Sequence, residues 1–180
     1  MIFEAIQFAA AAHTGQYRKG TRVPYIVHPV SVARSLLEIG CSEQVAVAGV
    51  LHDVIEDTTV SLAEVRVRFG EHVARLVEGA SEPDKHASWE DRKRHTIEFL
   101  DVAPEESLLI GLCDKLDNLR TIRQDLALEG EETWKRFRRP RESQRWYYES
   151  LGAVFTRRIT LDPAVRLVRE FNRELDVVFP

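Results

Sequence analysis

Apolar residues recur at the three- and four-residue spacing of amphipathic helices along nearly the whole chain. Val45, Ala48, Leu51 and Ile55 follow this spacing, whereas strand-like alternation is confined to residues 23–27. The predicted helices cover about residues 3–13, 29–39, 42–55, 61–70, 71–79, 88–100, 104–126, 140–155 and 163–178. The pattern therefore predicts an all-α fold, with residues 1–180 forming a single domain.

Capping signals support several of these boundaries. Ser61 and Glu64 have the spacing of a capping box, and Ser88 with Asp91 repeats the N-terminal pattern. Between the helices, the polar stretch 80–88 contains Pro83 and is predicted to be a long loop.

The segment Leu51–Asp57 carries the sharpest chemical feature of the chain. If the helix continues through it, Glu56 lies one turn beyond His52, and Asp57 lies one turn beyond Asp53. A mixed set of imidazole and carboxylate ligands suits Mn²⁺, Fe²⁺ or Zn²⁺ better than Ca²⁺. The alternative interpretation is an exposed acidic helix end with a structural histidine.

A second set of polar residues on one helix face is predicted in the segment 112–121. Leu112, Leu116 and Leu119 form an apolar stripe, and Asp114 and Asn118 lie on another face together with Thr121. His28 is held between Val27 and Pro29, where a half-buried structural histidine and a metal ligand are both compatible with the sequence.

These residues together resemble a known family. His28, the His52-Asp53 pair and Asp114 match the H…HD…D pattern of the HD-domain metal-dependent phosphohydrolases. Five ordered segments resemble the RelA/SpoT-type hydrolase domain, and the chain is most similar to the small stand-alone alarmone hydrolases. The similar segments are 12–20, 24–29, 51–58, 69–70 and 114–120.

The resemblance implies an HD-domain helical bundle and a role for each matching residue. The implied ligands of one divalent metal, Mn²⁺ in the family with Zn²⁺ or Fe²⁺ as alternatives, are His28, His52, Asp53 and Asp114. Glu56 and Asp57 are implied to orient or deprotonate the attacking water. The implied nucleotide-binding residues are Arg18, Lys19, Tyr25, Asn118 and Thr121. The implied reaction is removal of the 3′-pyrophosphate of guanosine tetra- or pentaphosphate.

Three positions depart from the family pattern. Asp117 replaces a usual histidine or aromatic residue, and we expect its carboxylate either to repel phosphate or to point to solvent. Gly111 stands where the family often has lysine, and Cys113 replaces a usual alanine. Two alternatives therefore stay open: an HD phosphohydrolase of another nucleotide such as NADPH, and a nucleotide-sensing module without turnover.

Composition limits the partners and the location. The 180 residues include 44% hydrophobic and 30% charged residues with a net charge of −4, as in ordinary soluble globular proteins. No signal peptide or membrane span is evident, so we predict a cytoplasmic protein with a small-molecule nucleotide substrate. The stretch 134–148 interleaves cations with aromatic residues, a pattern that can bind single-stranded nucleic acid. The acidic net charge favours a solvated basic helix start whose aromatic residues enter the core, and a third option is that one or two of these cations reach the substrate phosphates. The oligomeric state does not follow from the sequence.

Overall fold

The computed structural model describes residues 1–81 and 87–180, and the regular secondary structure in these ranges is helical. The helices are α1 (Ile2–Ala12), α2 (Val27–Glu38), α3 (Glu43–Leu51), α4 (Val54–Asp57), α5 (Leu62–Phe69), α6 (Glu71–Ala80), α7 (Trp89–Val102), α8 (Glu105–Glu129), a 3₁₀ helix (Gly130–Arg136), α9 (Arg141–Arg158) and α10 (Ala164–Val178). An isolated antiparallel bridge joins Tyr17 to Pro24. The predicted all-α fold is confirmed. Among the helices described, none combines the length and the apolar composition needed to cross a membrane.

Helix α3 lies at the centre of the fold. Every residue from Val45 to Leu51 is buried, which is the pattern of a helix that is apolar on all faces. The helix packs against α1, α2, α6 and α8. At its start, the Ser42 hydroxyl accepts a hydrogen bond from the backbone N–H of Val45. The end of α3, which carries the His-Asp pair, is therefore held by packing from several sides.

Gly49 allows α2 and α3 to approach each other closely. A Cβ atom at this position would lie 2.5 Å from Leu36 Cδ1 and 3.4 Å from Val32 Cγ1. Real carbon atoms do not approach this closely, so a larger residue would require Leu36 to shift. Gly49 therefore lets α2, which carries His28, pack closely against α3, which ends before His52.

Helix α8, the longest of the helices described, carries Asp114 and Asn118 on one face. Its 25 residues span about 38 Å. The predicted stripe of Leu112, Leu116 and Leu119 is fully buried, and α2, α6 and α10 pack along the helix. Asp114 and Asn118 lie on a different face of α8 from these leucines.

The structure corrects one local prediction and confirms others. A continuous helix through Ile55 is wrong, because α3 ends at Leu51 and α4 is a separate turn. The capping box is present: the Ser61 hydroxyl accepts from Glu64 N, and the Glu64 carboxylate accepts from Ser61 N. The Ser88 hydroxyl likewise caps α7. Of the predicted loop 80–88, residues 82–86, with Pro83, lie outside the described residues.

Candidate metal centre

Two histidines and an aspartate meet where α2, α3 and α8 come together. His28 lies in the first turn of α2, His52 follows the last residue of α3, and Asp114 lies in the middle of α8. Each is at most 8% exposed, and one ligand atom from each lies within 4.8 Å of the others. Helices far apart in sequence therefore bring three buried metal-ligating groups to one point.

Asp53 completes a four-sided arrangement of ligand atoms. His52 Nε2 lies 3.0 Å from Asp53 Oδ2 and 3.8 Å from Asp114 Oδ1. His28 Nε2 lies 3.8 Å and 3.3 Å from the same two oxygens. Ligand atoms bound to one cation at about 2.1 Å lie about 3 to 3.5 Å from one another. Two of the four distances fall in this range and two exceed it by 0.3 Å, so the spacing of the four groups is close to what a single divalent transition metal needs.

The orientation of His52 also fits a metal ligand. Its Nδ1 lies 2.8 Å from the carbonyl oxygen of Gly49, so that nitrogen donates to the backbone and Nε2 faces Asp53 and Asp114. Within the described part of the chain, the buried Nε2 makes no well-aligned hydrogen bond, although Asp53 Oδ2 is 3.0 Å away. A buried polar atom without a hydrogen bond is costly, and a bound cation removes that cost.

The charges around the cluster favour a cation. Burial by itself raises the pKa of the Asp114 carboxyl, but the Lys115 ammonium, with Nζ 2.6 Å from Asp114 Oδ2, holds it well below its usual range. Burial lowers the pKa of His52, yet the carboxylates of Asp53 and Asp114 raise it to about 9. The carboxylates are therefore ionised, and a proton on His52 has to leave when a divalent cation binds.

Tyr25 connects the metal cluster to the acidic pair after it. Its hydroxyl donates to Asp53 Oδ2 and lies 3.4 Å from Asp57 Oδ2. Burial and the Asp53 charge raise the pKa of Tyr25, so the hydroxyl stays protonated as a donor. Glu56 and Asp57 lie on α4, where Asp57 N donates to the carbonyl oxygen of Asp53 at 2.8 Å. The break after α3 thus leaves the acidic pair close to the ligand Asp53.

A cavity of about 260 Å³ opens beside the cluster. The five predicted nucleotide-binding residues all line it: Arg18, Lys19, Tyr25, Asn118 and Thr121. Arg18 Nη2 donates to Asn118 Oδ1 at 2.6 Å, and Asn118 Nδ2 donates to Asp114 Oδ1 at 2.7 Å. Two hydrogen bonds therefore separate the cavity wall from a candidate metal ligand.

Sequence reasoning missed the C-terminal wall of this cavity. Asp125, Arg136, Phe137 and Tyr148 also line it, and Lys19 Nζ lies 5.3 Å from the centre of the Phe137 ring. Burial and the charge of Arg138 lower the pKa of Lys19. Arg136 and Phe137 belong to the basic aromatic stretch, which was the one signal in the sequence that pointed to this wall.

The other aromatic residues of that stretch enter the core except Trp146, which is 38% exposed. Tyr147 and Tyr148 are 4% and 6% exposed, and Trp134 packs against Phe179 with ring centres 5.3 Å apart. Arg139 pairs with Glu90. These contacts agree with the favoured interpretation of the stretch, and the absence of nucleic-acid binding stays a prediction.

The departures from the family pattern have structural accounts. Asp117 does not point to solvent, because its Oδ2 lies 2.7 Å from His28 Nδ1, and repulsion of phosphate by its carboxylate stays a prediction. At Gly111, a Cβ atom would lie 2.8 Å from Leu100 Cδ2, so Leu100 occupies the space that a side chain would need. Cys113 is buried in the core.

Several known proteins are similar to this chain in sequence and in fold. The HD domain family matches residues 5–142. A guanosine-3′,5′-bis(diphosphate) 3′-pyrophosphohydrolase of Aquifex aeolicus is 39% identical over 124 residues, which are 67% of this chain and 18% of that protein. The Homo sapiens guanosine-3′,5′-bis(diphosphate) 3′-pyrophosphohydrolase MESH1 is 42% identical over 124 residues, which are 67% of this chain and 69% of that protein.

A solved structure extends the likeness to almost the whole chain. It is described as a metazoan ortholog of SpoT that hydrolyzes ppGpp, with 31% identity and a TM-score of 0.80 over 98% of this chain and 96% of that one. The present chain spans less than a fifth of the length of the Aquifex relative and about two thirds of the human one. The family match covers most of the chain, and the helices and ligand pattern agree with it. The chain therefore belongs to the HD domain family.

Proposed function

We propose that this chain is a metal-dependent hydrolase that removes pyrophosphate from the 3′ position of guanosine tetra- or pentaphosphate. The observation that carries the proposal is the hydrogen-bonded connection from Arg18 through Asn118 to Asp114, which joins the cavity to the ligand cluster. The similar Aquifex and human proteins carry the name of this activity, which supports the same substrate here.

The four clustered side chains would hold one divalent metal, for which we propose Mn²⁺, with Zn²⁺ or Fe²⁺ as alternatives. They are His28, His52, Asp53 and Asp114. When bound, such an ion lowers the pKa of a coordinated water so that hydroxide is available near neutral pH. The cluster supplies two nitrogen and two oxygen ligands, which leaves positions for water and for a phosphate oxygen.

The acidic pair on α4 handles the proton. Glu56 and Asp57 would orient the attacking water and accept its proton, since they lie on α4 only three and four residues after the ligand Asp53. The Tyr25 hydroxyl lies between Asp53 and Asp57 and holds the two carboxylates in a fixed relation. Proton acceptance and ligand position are thereby coupled through one side chain.

The cavity residues bind the nucleotide. Arg18 presents a planar cation that can stack on a purine or pair with phosphate, and Lys19 adds a second cation at the cavity wall. Tyr25 and Thr121 line the same wall, and Asn118 contacts both Arg18 and Asp114. We infer that Asn118 positions the sugar and its 3′ phosphate against the cluster.

The reaction follows from this arrangement. The water oxygen attacks the phosphorus attached to the 3′ oxygen, and the bond between that phosphorus and the 3′ oxygen breaks. The 3′ oxygen takes up a proton, and pyrophosphate leaves with the oxygen of the water. The tetraphosphate therefore yields GDP and pyrophosphate, and the pentaphosphate yields GTP and pyrophosphate.

A hydrolysis panel tests the proposal. Guanosine tetraphosphate, NADPH and ordinary nucleotides are each incubated with protein loaded with Mn²⁺, Zn²⁺ or Fe²⁺, and pyrophosphate and phosphate release are measured. We expect pyrophosphate from the tetraphosphate, and we expect the Asp53→Ala variant to release none. No turnover of the tetraphosphate with any of the three metals would overturn the proposal.

The same panel separates the two alternatives. Faster phosphate release from NADPH than pyrophosphate release from the tetraphosphate would support a different nucleotide substrate. Tight nucleotide binding without turnover would support a sensing module. The assignments of residues 1–180 to one domain and of the protein to the cytoplasm stay predictions.

A further inference from the structure

Asp117 contacts the metal cluster from behind one of its histidines. Its Oδ2 lies 2.7 Å from His28 Nδ1, and the His28 side chain is 1% exposed. The Asp117 side chain is 16% exposed, so the contact is largely shielded from water. Helix α8 therefore reaches the cluster twice: directly through Asp114, and through His28 by way of Asp117.

The contact decides which nitrogen of His28 faces the cluster. An ionised carboxylate can only accept a hydrogen bond, so Nδ1 carries the hydrogen and Nε2 presents its lone pair. That Nε2 is the atom 3.3 Å from Asp114 Oδ1 and 3.8 Å from Asp53 Oδ2. His52 has the same orientation, but its Nδ1 donates to the Gly49 carbonyl. A backbone group thus orients one imidazole, and a side chain orients the other.

We propose that Asp117 is a positioning residue for the metal centre, whose hydrogen bond holds His28 ready to bind the cation through Nε2. The proposal rests on the metal site described above but not on the identity of the nucleotide. Carboxylate groups that orient a ligating histidine typically change metal affinity 10- to 100-fold when they are removed. We expect a loss of about 10- to 100-fold for Asp117→Ala on this basis.

The chain offers a matched control on the same helix. Glu106 Oε2 lies 3.2 Å from His72 Nε2, so α8 carries a second carboxylate–histidine contact. The two carboxylates are 11 residues apart, or about 16 Å along the helix. Glu106→Gln removes one negative charge at such a contact without touching the cluster.

The first measurement is metal affinity at fixed pH, by competition of Mn²⁺ and Zn²⁺ with a chelator of known affinity. We expect Asp117→Ala to lose about 10- to 100-fold and Glu106→Gln to stay within about twofold of the unmodified protein. Asp117→Asn keeps an acceptor but not the charge, and we expect it to lose less than Asp117→Ala. Equal losses in the two Asp117 variants would point to charge alone and overturn the proposal, as would an unchanged affinity in Asp117→Ala.

The second measurement reports on the hydrogen bond itself. In the zinc-loaded protein, the Nδ1–H protons of His28 and His52 are followed by NMR. We expect Asp117→Ala to shift or lose the His28 signal and to leave the His52 signal in place, and unchanged signals would contradict the proposal. If Asp117→Ala does not fold, Asp117→Asn is measured in its place. A lower metal affinity together with a shifted His28 signal then supports the proposal, and no change in either contradicts it. Failure of the unmodified protein to bind metal would refute the metal site itself, which separates the two claims.

Discussion

Arg136 allows a test of how burial affects the contribution of an ion pair to the free energy of unfolding. Its Nη1 lies 2.6 Å from Asp125 Oδ2, and the two side chains are 12% and 17% exposed. The guanidinium also contacts Glu129, whose side chain is 46% exposed. We consider the variant Arg136→Met, which keeps an apolar stem of similar length and removes the charge.

The expected cost follows from the two exposures. Breaking a fully buried pair costs about 3–5 kcal/mol, and an exposed pair contributes about 0–1 kcal/mol. At the burial of Arg136 and Asp125 we expect a loss of about 2–3 kcal/mol, because Asp125 is left as an unpaired carboxylate in the cavity wall. For a chain of this length, that corresponds to a fall in Tm of about 4–12 °C.

The neighbouring residue provides the control. Lys135 Nζ also lies 2.6 Å from its partner, Glu132 Oε2, but these side chains are 74% and 66% exposed. We expect Lys135→Met to cost less than about 0.5 kcal/mol. The ion pairs of Lys135 and Arg136 have the same N–O distance and therefore differ mainly in burial.

Urea unfolding at 25 °C, followed by far-UV circular dichroism, measures Arg136→Met, Lys135→Met, Asp125→Asn and the double variant Arg136→Met/Asp125→Asn. We expect the double variant to regain part of the stability, since it leaves no buried charge unpaired. Equal small losses for Arg136→Met and Lys135→Met would refute the reasoning, as would a double variant whose loss is the sum of the two single losses.

Three further predictions concern the cluster and its supports. Glu56→Gln is expected to retain metal and to slow hydrolysis by about 10²–10⁴-fold, whereas loss of metal from this variant would make Glu56 a ligand. Mn²⁺ at about 100 times its Kd is expected to stabilise the protein by about 2.7 kcal/mol, a rise in Tm of about 5–11 °C in a thermal scan. Asp53→Ala should abolish that rise, and an unchanged rise would remove Asp53 from the ligand set. Gly49→Ala is expected to lower the unfolding free energy by about 1–2 kcal/mol and to weaken metal binding, because the added Cβ meets Leu36 Cδ1 at 2.5 Å; a higher Tm would contradict this.

Local patterns were sufficient for much of the helical framework. The apolar stripe of Leu112, Leu116 and Leu119 predicted a buried face of α8, and these residues are fully buried. The spacing of Ser61 and Glu64 predicted a capping box that is present. Such features depend on residues three or four positions apart, whose relative placement a helix sets by itself.

The break after α3 shows where local periodicity fails. The apolar spacing continues from Leu51 to Ile55, yet the helix stops before His52, and the turn directs His52 and Asp53 toward α8. Contacts with distant elements outweigh the local preference at this point, as is common for short segments. The stretch 130–136 likewise forms a 3₁₀ helix that the pattern did not indicate.

The candidate site divides in the same way. The resemblance to the family motif identified the residues that cluster, because the motif depends only on residue identity and order in the sequence. These residues are His28, His52, Asp53 and Asp114. Their distances, the hydrogen bond from His28 to Asp117 and the cavity wall formed by Arg136 and Phe137 required the packed structure. Apart from the adjacent His52 and Asp53, these contacts join residues far apart in the sequence, such as His28 on α2 and Asp117 on α8, whereas helical periodicity relates only residues on one helix. The packing of α2, α3 and α8 decides which helix faces are in contact. The sequence showed Asp117 only as a departure from the family pattern, and the packed structure shows that it contacts His28.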